Sequence, residues 1–151
     1  VERLFFHVRP DAAFFGEKDR QQLAIITAVG KHYRWPEEIV ACPTVRAADG
    51  LALSSRNLRL SGDERLRAVC INIALKAARD TAFRASVEAT RDAALAVLAA
   101  EPGVVLDYFG IANAETLVPL NDWTGLERAV ALIAAQVGPV RLIDNMTLER
   151  P

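Results

Sequence analysis

The sequence predicts an α/β fold in two parts, a piece of a parallel sheet followed by a small α+β domain. Two short apolar runs, 12–16 and 37–42, flank a helical segment, and together they have the size of a βαβ unit. A long helical stretch begins at Ser61, and three strand-like runs separated by turn residues come later. We therefore expect two domains, 1–58 and 59–151.

The chain opens in a helix. Within residues 1–8 the apolar side chains of Leu4, Phe5 and Val8 are spaced to form one helical stripe. Because Val1 already lies in this helix, we expect another segment to precede it.

The first domain contains the βαβ unit. Run 12–16 has the continuous apolar character of a buried parallel strand and ends at Gly16. The segment 18–33 has helical periodicity, and run 37–42 closes the unit before Pro43. The residues predicted to share the sheet-facing side of the helix are Gln22, Ile25, Ile26 and Val29.

The second domain combines a helix pair with a three-stranded antiparallel sheet. Ser61 and Glu64 have the spacing of a capping box, which opens a helix that runs to about Arg79. A second helix extends from near Ser86 to Ala100. The three predicted strands are 104–112, 127–135 and 140–148.

Composition excludes several classes of protein. The chain has 151 residues, of which 52% are apolar and 25% charged, as in a globular protein. Its 18 basic and 19 acidic side chains create no field that favours nucleic acid or an anionic membrane. Cys42 and Cys70 lack a metal-binding spacing, and no membrane-length apolar run or signal-peptide layout occurs. We expect a soluble, cytoplasmic protein.

Polar residues follow both strands of the predicted βαβ unit. Ligands bind at the carboxyl ends of parallel strands, so we expect the loops 15–19 and 42–57 to line one cleft. Gly16 would let the backbone approach a ligand, and Lys18 offers a compact positive charge. The alternative is that Lys18 and Asp19 are a solvated helix start.

Gln22 is unusual because it lies on the predicted apolar side of its helix. A buried amide without partners costs about 1–3 kcal/mol. Gln22 therefore either bonds neighbouring backbone or donates to a polar ligand, and the sequence leaves both alternatives open.

The segment DGLALSSRNLRLS, 49–61, places the polar side chains of Ser54, Ser55, Arg56 and Asn57 after a short apolar run. They could serve a turn and a helix start, or they could surround an anion. Neither GxxxxGK[ST] nor GxGxxG occurs, and the two histidines lack metal-site spacing. Phosphate binding would therefore need a loop of a different type.

Three separated segments, FFGEKDRQQLAII, VACPTVRAADGLALSSRNLRLS and VRLIDN, resemble the second half of the pantothenate synthetase family in order and spacing. The resemblance covers essentially the whole chain. It implies a Rossmann-like nucleotidyltransferase domain and the ATP-dependent joining of pantoate to β-alanine through pantoyl adenylate, with release of AMP and pyrophosphate, in coenzyme A biosynthesis. The resemblance implies that ATP is a substrate and that Mg²⁺ accompanies it as the metal cofactor. It also implies a homodimer formed through the family's N-terminal domain.

The resemblance also assigns roles by motif. Gln22 corresponds to a glutamine that holds pantoate, and Val45 to the residue at the adenine end. Leu53, Ser54, Ser55 and Arg56 correspond to a mobile loop that closes over the triphosphate, with Leu53 as its apolar anchor. Lys18 and these loop donors are the implied catalytic groups. The ATP-contacting loop after the first strand corresponds to Gly16, Glu17, Lys18 and Asp19.

One family feature is missing, because the 151 residues contain no HxGH motif. The family's second pantoate-binding glutamine is also not found. Three interpretations follow: an acid–amine ligase that needs a missing N-terminal half and is inactive alone, a non-catalytic piece with a partial nucleotide pocket, or an adenylyl-transfer relative with another acid substrate.

Overall fold

In the computed structural model, which describes residues 1–151, the chain divides into two units, Val1–Thr44 and Val45–Pro151. The sequence predicts the division later, after residue 58. Residues 45–58 belong to the second unit because Leu51 and Ala52 are buried there and Arg46 binds Asp144.

The first unit is a βαβ arrangement preceded by a short helix, as predicted. Helix α1 (Glu2–Val8) leads to strand β1 (Ala12–Gly16), helix α2 (Arg20–Tyr33) and strand β2 (Glu38–Cys42). The two strands pair in parallel, from Ala12 opposite Glu38 to Gly16 opposite Cys42.

The predicted buried faces of both helices in this unit are only partly correct, because Ile26 of α2 and Phe5 of α1 are buried but their predicted neighbours are not. Helix α2 buries Leu23, Ile26 and Gly30, whereas Ile25 is 56% exposed and Gln22 is also exposed. The helix carries two neighbouring apolar stripes, and contact with the strands selects the one that contains Leu23. Of the predicted α1 stripe only Phe5 is buried, with its ring 5.2 Å from that of Trp35.

Strand β1 is half open, although its apolar run predicts a fully buried strand. Phe14 is 70% exposed, while Phe15 on the opposite face is partly buried. Successive side chains of a strand point to opposite faces. Within this unit one face of the strand pair is therefore covered and the other is not.

The second unit confirms the predicted helix pair and antiparallel sheet. Helices α3 (Gly62–Thr81) and α4 (Val87–Ala99) are followed by the strands β3 (Val104–Asn113), β4 (Arg128–Val137) and β5 (Val140–Glu149). The sheet order is β3-β4-β5, with both pairs antiparallel.

The core of this unit lies between the helices and the central strand. Ile71 and Leu75 of α3 belong to the same buried cluster as Ala131, Ile133 and Ala135 of β4. Alternation along β4 presents these residues to one face.

No helix of the chain combines the length and apolar character that crossing a bilayer requires.

The predicted capping box opens helix α3. The backbone N–H of Ser61 donates to Glu64 Oε2 at 2.7 Å, and the N–H of Glu64 donates to Ser61 Oγ at 3.3 Å. Helix α4 begins with a simpler cap, in which Ser86 Oγ accepts from the N–H of Ala89 at 3.0 Å. Ala89 cannot return a side-chain bond, so only α3 has the reciprocal arrangement.

The first prediction concerns pH. The bond from the Ser61 backbone, aided by the Ser61 side chain, holds the pKa of Glu64 below its ordinary range. A carboxyl group whose pKa is lowered by folding stabilises the fold above its unfolded pKa, and that contribution disappears as the pH falls through the folded pKa. Glu64→Gln should therefore lower the free energy of unfolding at neutral pH, and the deficit should shrink below about pH 4.3.

Urea unfolding monitored by circular dichroism from about pH 7 to about pH 3 measures this difference. Glu88→Gln is the matched control, because it removes one charge from the first turn of α4, where no reciprocal bond exists. A deficit for Glu64→Gln that stays constant over the whole pH range would contradict the assignment.

Candidate functional site

In the first unit the predicted ATP loop directly follows β1. Gly16 ends the strand, a single 3-10 turn spans Glu17–Asp19, and α2 starts at Arg20. Gly16 has an extended backbone with φ of −68°, and a Cβ there would meet nothing within 4 Å. Within this unit Gly16 is therefore not required by backbone conformation, and the space beside it is open.

The side chains of this loop are accessible to different degrees. Glu17 and Lys18 are partly buried, and Glu17 Oε1 lies 3.8 Å from Arg20 Nη1. Asp19 is exposed and provides no side-chain cap to α2. Gln22 is exposed in the first turn and makes no hydrogen bond within the chain, so the backbone-bonded alternative for its amide is not observed.

In the second unit residues 45–53 form a small hairpin. The N–H of Leu53 donates to the carbonyl of Val45 at 2.9 Å, and Arg46 pairs with Ala52 in an antiparallel bridge. Leu51 and Ala52 are buried, but Val45 is 67% exposed and Leu53 is 52% exposed. Leu51 is therefore the residue that anchors this segment in the apolar core, and the role of Leu53 as an apolar anchor stays a prediction.

The four polar side chains after the hairpin divide into two pairs. Ser54 Oγ accepts from the N–H of Arg56 at 3.2 Å and so starts the 3-10 helix Ser55–Arg59. Asn57 Nδ2 donates to the carbonyl of Ala52 at 2.9 Å. Ser55 and Arg56 are exposed, and neither side chain has a partner in the chain. Two of the four side chains thus shape the backbone, and two remain open to solvent.

The main contact that sequence reasoning missed is an ion pair beneath this hairpin. Arg46 Nη1 lies 2.6 Å from Asp144 Oδ2, and Arg46 Nη2 lies 3.0 Å from Asp144 Oδ1. The side chain of Asp144 is only 3% exposed. The carboxylate of Asp144 within the predicted strand 140–148 was the available signal, but no sequence feature indicated its partner.

Gly50 gives the hairpin its tip. Its backbone φ of +89° is one that residues with a side chain rarely adopt. A Cβ at this position would lie 2.5 Å from Asn72 Oδ1. Asn72 is fully buried in α3, and its side-chain atoms have no hydrogen-bond partner. Both the dihedral angle and the close approach to α3 therefore require glycine.

A cavity of about 320 Å³ lies elsewhere in the second unit and contains none of the predicted site residues. Its three arginines already have acceptors within the chain, since Arg79 bonds Asp80 at 2.9 Å, Arg84 bonds the Asp80 carbonyl at 3.1 Å and Arg150 bonds the Leu126 carbonyl at 3.0 Å. Each of the three guanidinium groups therefore already has at least one acceptor within the chain.

The chain matches the family model described as pantoate-beta-alanine ligase over residues 1–147. A pantothenate synthetase of Bacteroides fragilis is 44% identical over 146 residues, which are 97% of this chain and 52% of that protein. A bifunctional pantoate ligase/cytidylate kinase of Synechococcus elongatus is 45% identical over 152 residues, which cover 99% of this chain and 28% of that protein.

Solved structures give the same result. A pantothenate synthetase from Thermus thermophilus has a TM-score of 0.91 and 42% identity, covering 96% of this chain and 52% of that chain. A Francisella tularensis pantoate-beta-alanine ligase complexed with beta-gamma ATP and beta-alanine has a TM-score of 0.65 and 29% identity, covering 96% of this chain and 46% of that chain. Apart from the bifunctional protein, the chain spans about half the length of these relatives.

The second prediction concerns Gly50. Gly50→Ala should lower the free energy of unfolding by about 1–3 kcal/mol, because it forces a side chain into a left-handed backbone and against Asn72. Gly110→Ala is the matched control, since a Cβ there meets nothing within 4 Å. Urea unfolding of both variants measures the difference. Equal unfolding free energies would show that the tip does not need glycine.

Proposed function

Because the chain belongs to the pantoate-β-alanine ligase family, we propose that it supplies the ATP-handling part of an enzyme that joins pantoate to β-alanine. The observation that carries the proposal is the family match over residues 1–147, a span that contains both polar loops. The ATP- and β-alanine-bound relative from Francisella tularensis supports both substrates.

The proposed chemistry has two steps. The carboxylate of pantoate attacks the α-phosphorus of ATP, the bond to the β-phosphate oxygen breaks, and pyrophosphate leaves from pantoyl adenylate. The amine of β-alanine then attacks the acyl carbon and loses a proton, and AMP leaves. Negative charge grows on the leaving phosphates in the first step, so fixed positive groups and N–H donors there lower its barrier.

We propose that the loop after β1 handles the phosphates of ATP in this step. The open space beside Gly16 leaves its backbone accessible, and the ammonium group of Lys18 stabilises the leaving pyrophosphate. Glu17 and Asp19 belong to the same ATP-contacting turn.

We propose that Ser54, Ser55 and Arg56 also contact the phosphates. The exposure of the Ser55 and Arg56 side chains supports this role, because their donors have no acceptor within the chain. Ser54 keeps its hydroxyl hydrogen available while its oxygen caps the 3-10 helix. The exposed Val45 and Leu53 are proposed to provide apolar contacts to ATP, Val45 at the adenine end.

Gln22 is proposed to hold pantoate. Its side chain is exposed and unpaired, so its amide can bond the polar groups of an acid substrate without losing an internal contact.

Magnesium would neutralise part of the phosphate charge. No group of three His, Cys, Asp or Glu side chains in the chain could hold a metal ion by itself. That is compatible with Mg²⁺, which usually binds through substrate phosphates and only one or two carboxylates.

The unpaired thiols of Cys42 and Cys70 support the cytoplasm as the compartment. The homodimer contact is assigned to the family's N-terminal domain and to no residue of this chain.

The third prediction tests the function. The 151-residue chain alone should form no AMP from ATP, pantoate and β-alanine. Fusion of its Val1 to the half of the Thermus thermophilus relative that it does not cover should give AMP formation that depends on both pantoate and β-alanine. A folded fusion protein without this activity would contradict the proposal, and activity of the chain alone would contradict its dependence on a second half.

Two variants of the fusion protein show whether the chain takes part in the chemistry. Lys18→Ala should slow single-turnover pyrophosphate release about 100-fold, because one preorganised charge contact is worth on the order of 3 kcal/mol of the barrier. Lys31→Ala removes an exposed cation from the last turn of α2 and should leave the rate unchanged. A Lys18→Ala rate within about threefold of the parent would exclude the assigned role.

A further inference from the structure

The acidic residue of the VRLIDN segment has no place in the proposed chemistry, yet it makes the most enclosed ionic contact of the second unit. Asp144 lies on β5, 98 positions along the chain from its partner Arg46. Besides the two bonds from Arg46, Asp144 Oδ1 accepts the backbone N–H of Asn145 at 2.8 Å. Both carboxylate oxygens are therefore satisfied, as a buried charge requires.

The guanidinium of Arg46 joins two parts of the chain. Nη1 also donates to the carbonyl of Gly50 at 3.1 Å, at the tip of the same hairpin. Nη2 also donates to the carbonyl of Asn145 at 3.1 Å, on β5. One planar group thus fixes both the curvature of the hairpin and its position on the sheet, which the single ammonium of a lysine could not do.

Other polar contacts of the hairpin with the rest of the unit are weaker. Arg65 bonds Asp49 at 2.8 Å, but both side chains are about a third exposed or more, and such surface pairs contribute little. Leu51 supplies apolar burial, which is not directional. The Arg46–Asp144 pair is therefore the contact that sets the orientation of the hairpin.

The hairpin in turn sets the position of the exposed donors. Arg46 pairs with Ala52, and the carbonyl of Ala52 accepts from Asn57 Nδ2 at 2.9 Å. Ser54, Ser55 and Arg56 lie between Ala52 and Asn57. A shift of Arg46 relative to β5 would therefore move both ends of the short segment that carries these donors.

We propose that Arg46 and Asp144 are positioning residues, which hold Ser54, Ser55 and Arg56 in place for the phosphates of ATP. The inference rests on the proposed function for the identity of the ligand. The proposed effect of the Arg46–Asp144 pair on the position of residues 54–56 does not depend on the identity of the ligand.

The test uses Arg46→Lys, which keeps the charge in contact with Asp144 but loses the fork of donors. In the 151-residue chain, hydrogen exchange should become about tenfold faster at the amides of Ala47, Gly50, Leu53 and Arg56, while the amides of β4 keep their protection. Arg141→Lys is the matched control, since it alters a half-exposed pair between β5 and Asp107 that also uses two guanidinium donors. It should leave hairpin exchange unchanged.

The second measurement uses the fusion protein described above. Arg46→Lys should raise the KM for ATP about tenfold and leave the KM for pantoate unchanged, a separation that general destabilisation would not produce. Unchanged hairpin exchange, or faster exchange with an unaltered KM for ATP, would overturn the proposal. An inactive parent fusion protein would instead refute the proposed function, and the exchange measurement would still decide whether the pair fixes the segment.

Discussion

A carboxylate that is buried on folding needs an opposite charge and hydrogen-bond donors for its oxygens. In the second unit this requirement applies to Asp144, whose side chain is 3% exposed. Arg46 and Asp144 bond each other twice, and the remaining nearby donors and acceptors come from the backbone of Gly50 and Asn145. Such a pair tolerates little displacement, because loss of the guanidinium contact leaves the buried charge of Asp144 uncompensated. The proposed consequence is that the pair holds the hairpin in one position against β5.

Fixing the hairpin leaves the polar residues beyond it with different tasks. Ser54 and Asn57 use part of their bonding capacity to turn the backbone, which keeps the side chains of Ser55 and Arg56 in solvent. Binding of a triphosphate is weakened by the entropy of ordering mobile groups. A segment whose backbone is already shaped by internal bonds avoids part of that loss, so this arrangement suits the phosphate contacts proposed for it.

Sequence reasoning succeeded where the determining contacts are local. The start of α3 follows from Ser61 and Glu64, three residues apart, and the strands of the second unit follow from strand-like runs separated by turn residues. It failed where distant residues decide. Helix α2 has two apolar stripes of similar quality, and only packing against the strands selects Leu23 over Ile25. The partner of Asp144 is equally invisible, because no local spacing connects residues 98 positions apart.

The dependence of the hairpin on one buried ion pair is tested most directly by a double-mutant cycle on the free energy of unfolding of the chain. Arg46→Met should cost about 3–5 kcal/mol, because it leaves the buried carboxylate of Asp144 unpaired. Asp144→Leu should cost less, because the side chain of Arg46 is 23% exposed and keeps the carbonyls of Gly50 and Asn145 as acceptors. The double variant replaces the pair by apolar side chains and should cost far less than the sum, with a coupling of about 3 kcal/mol or more. Additive effects of the two substitutions would contradict the account, since they would show that Arg46 and Asp144 stabilise the unit independently.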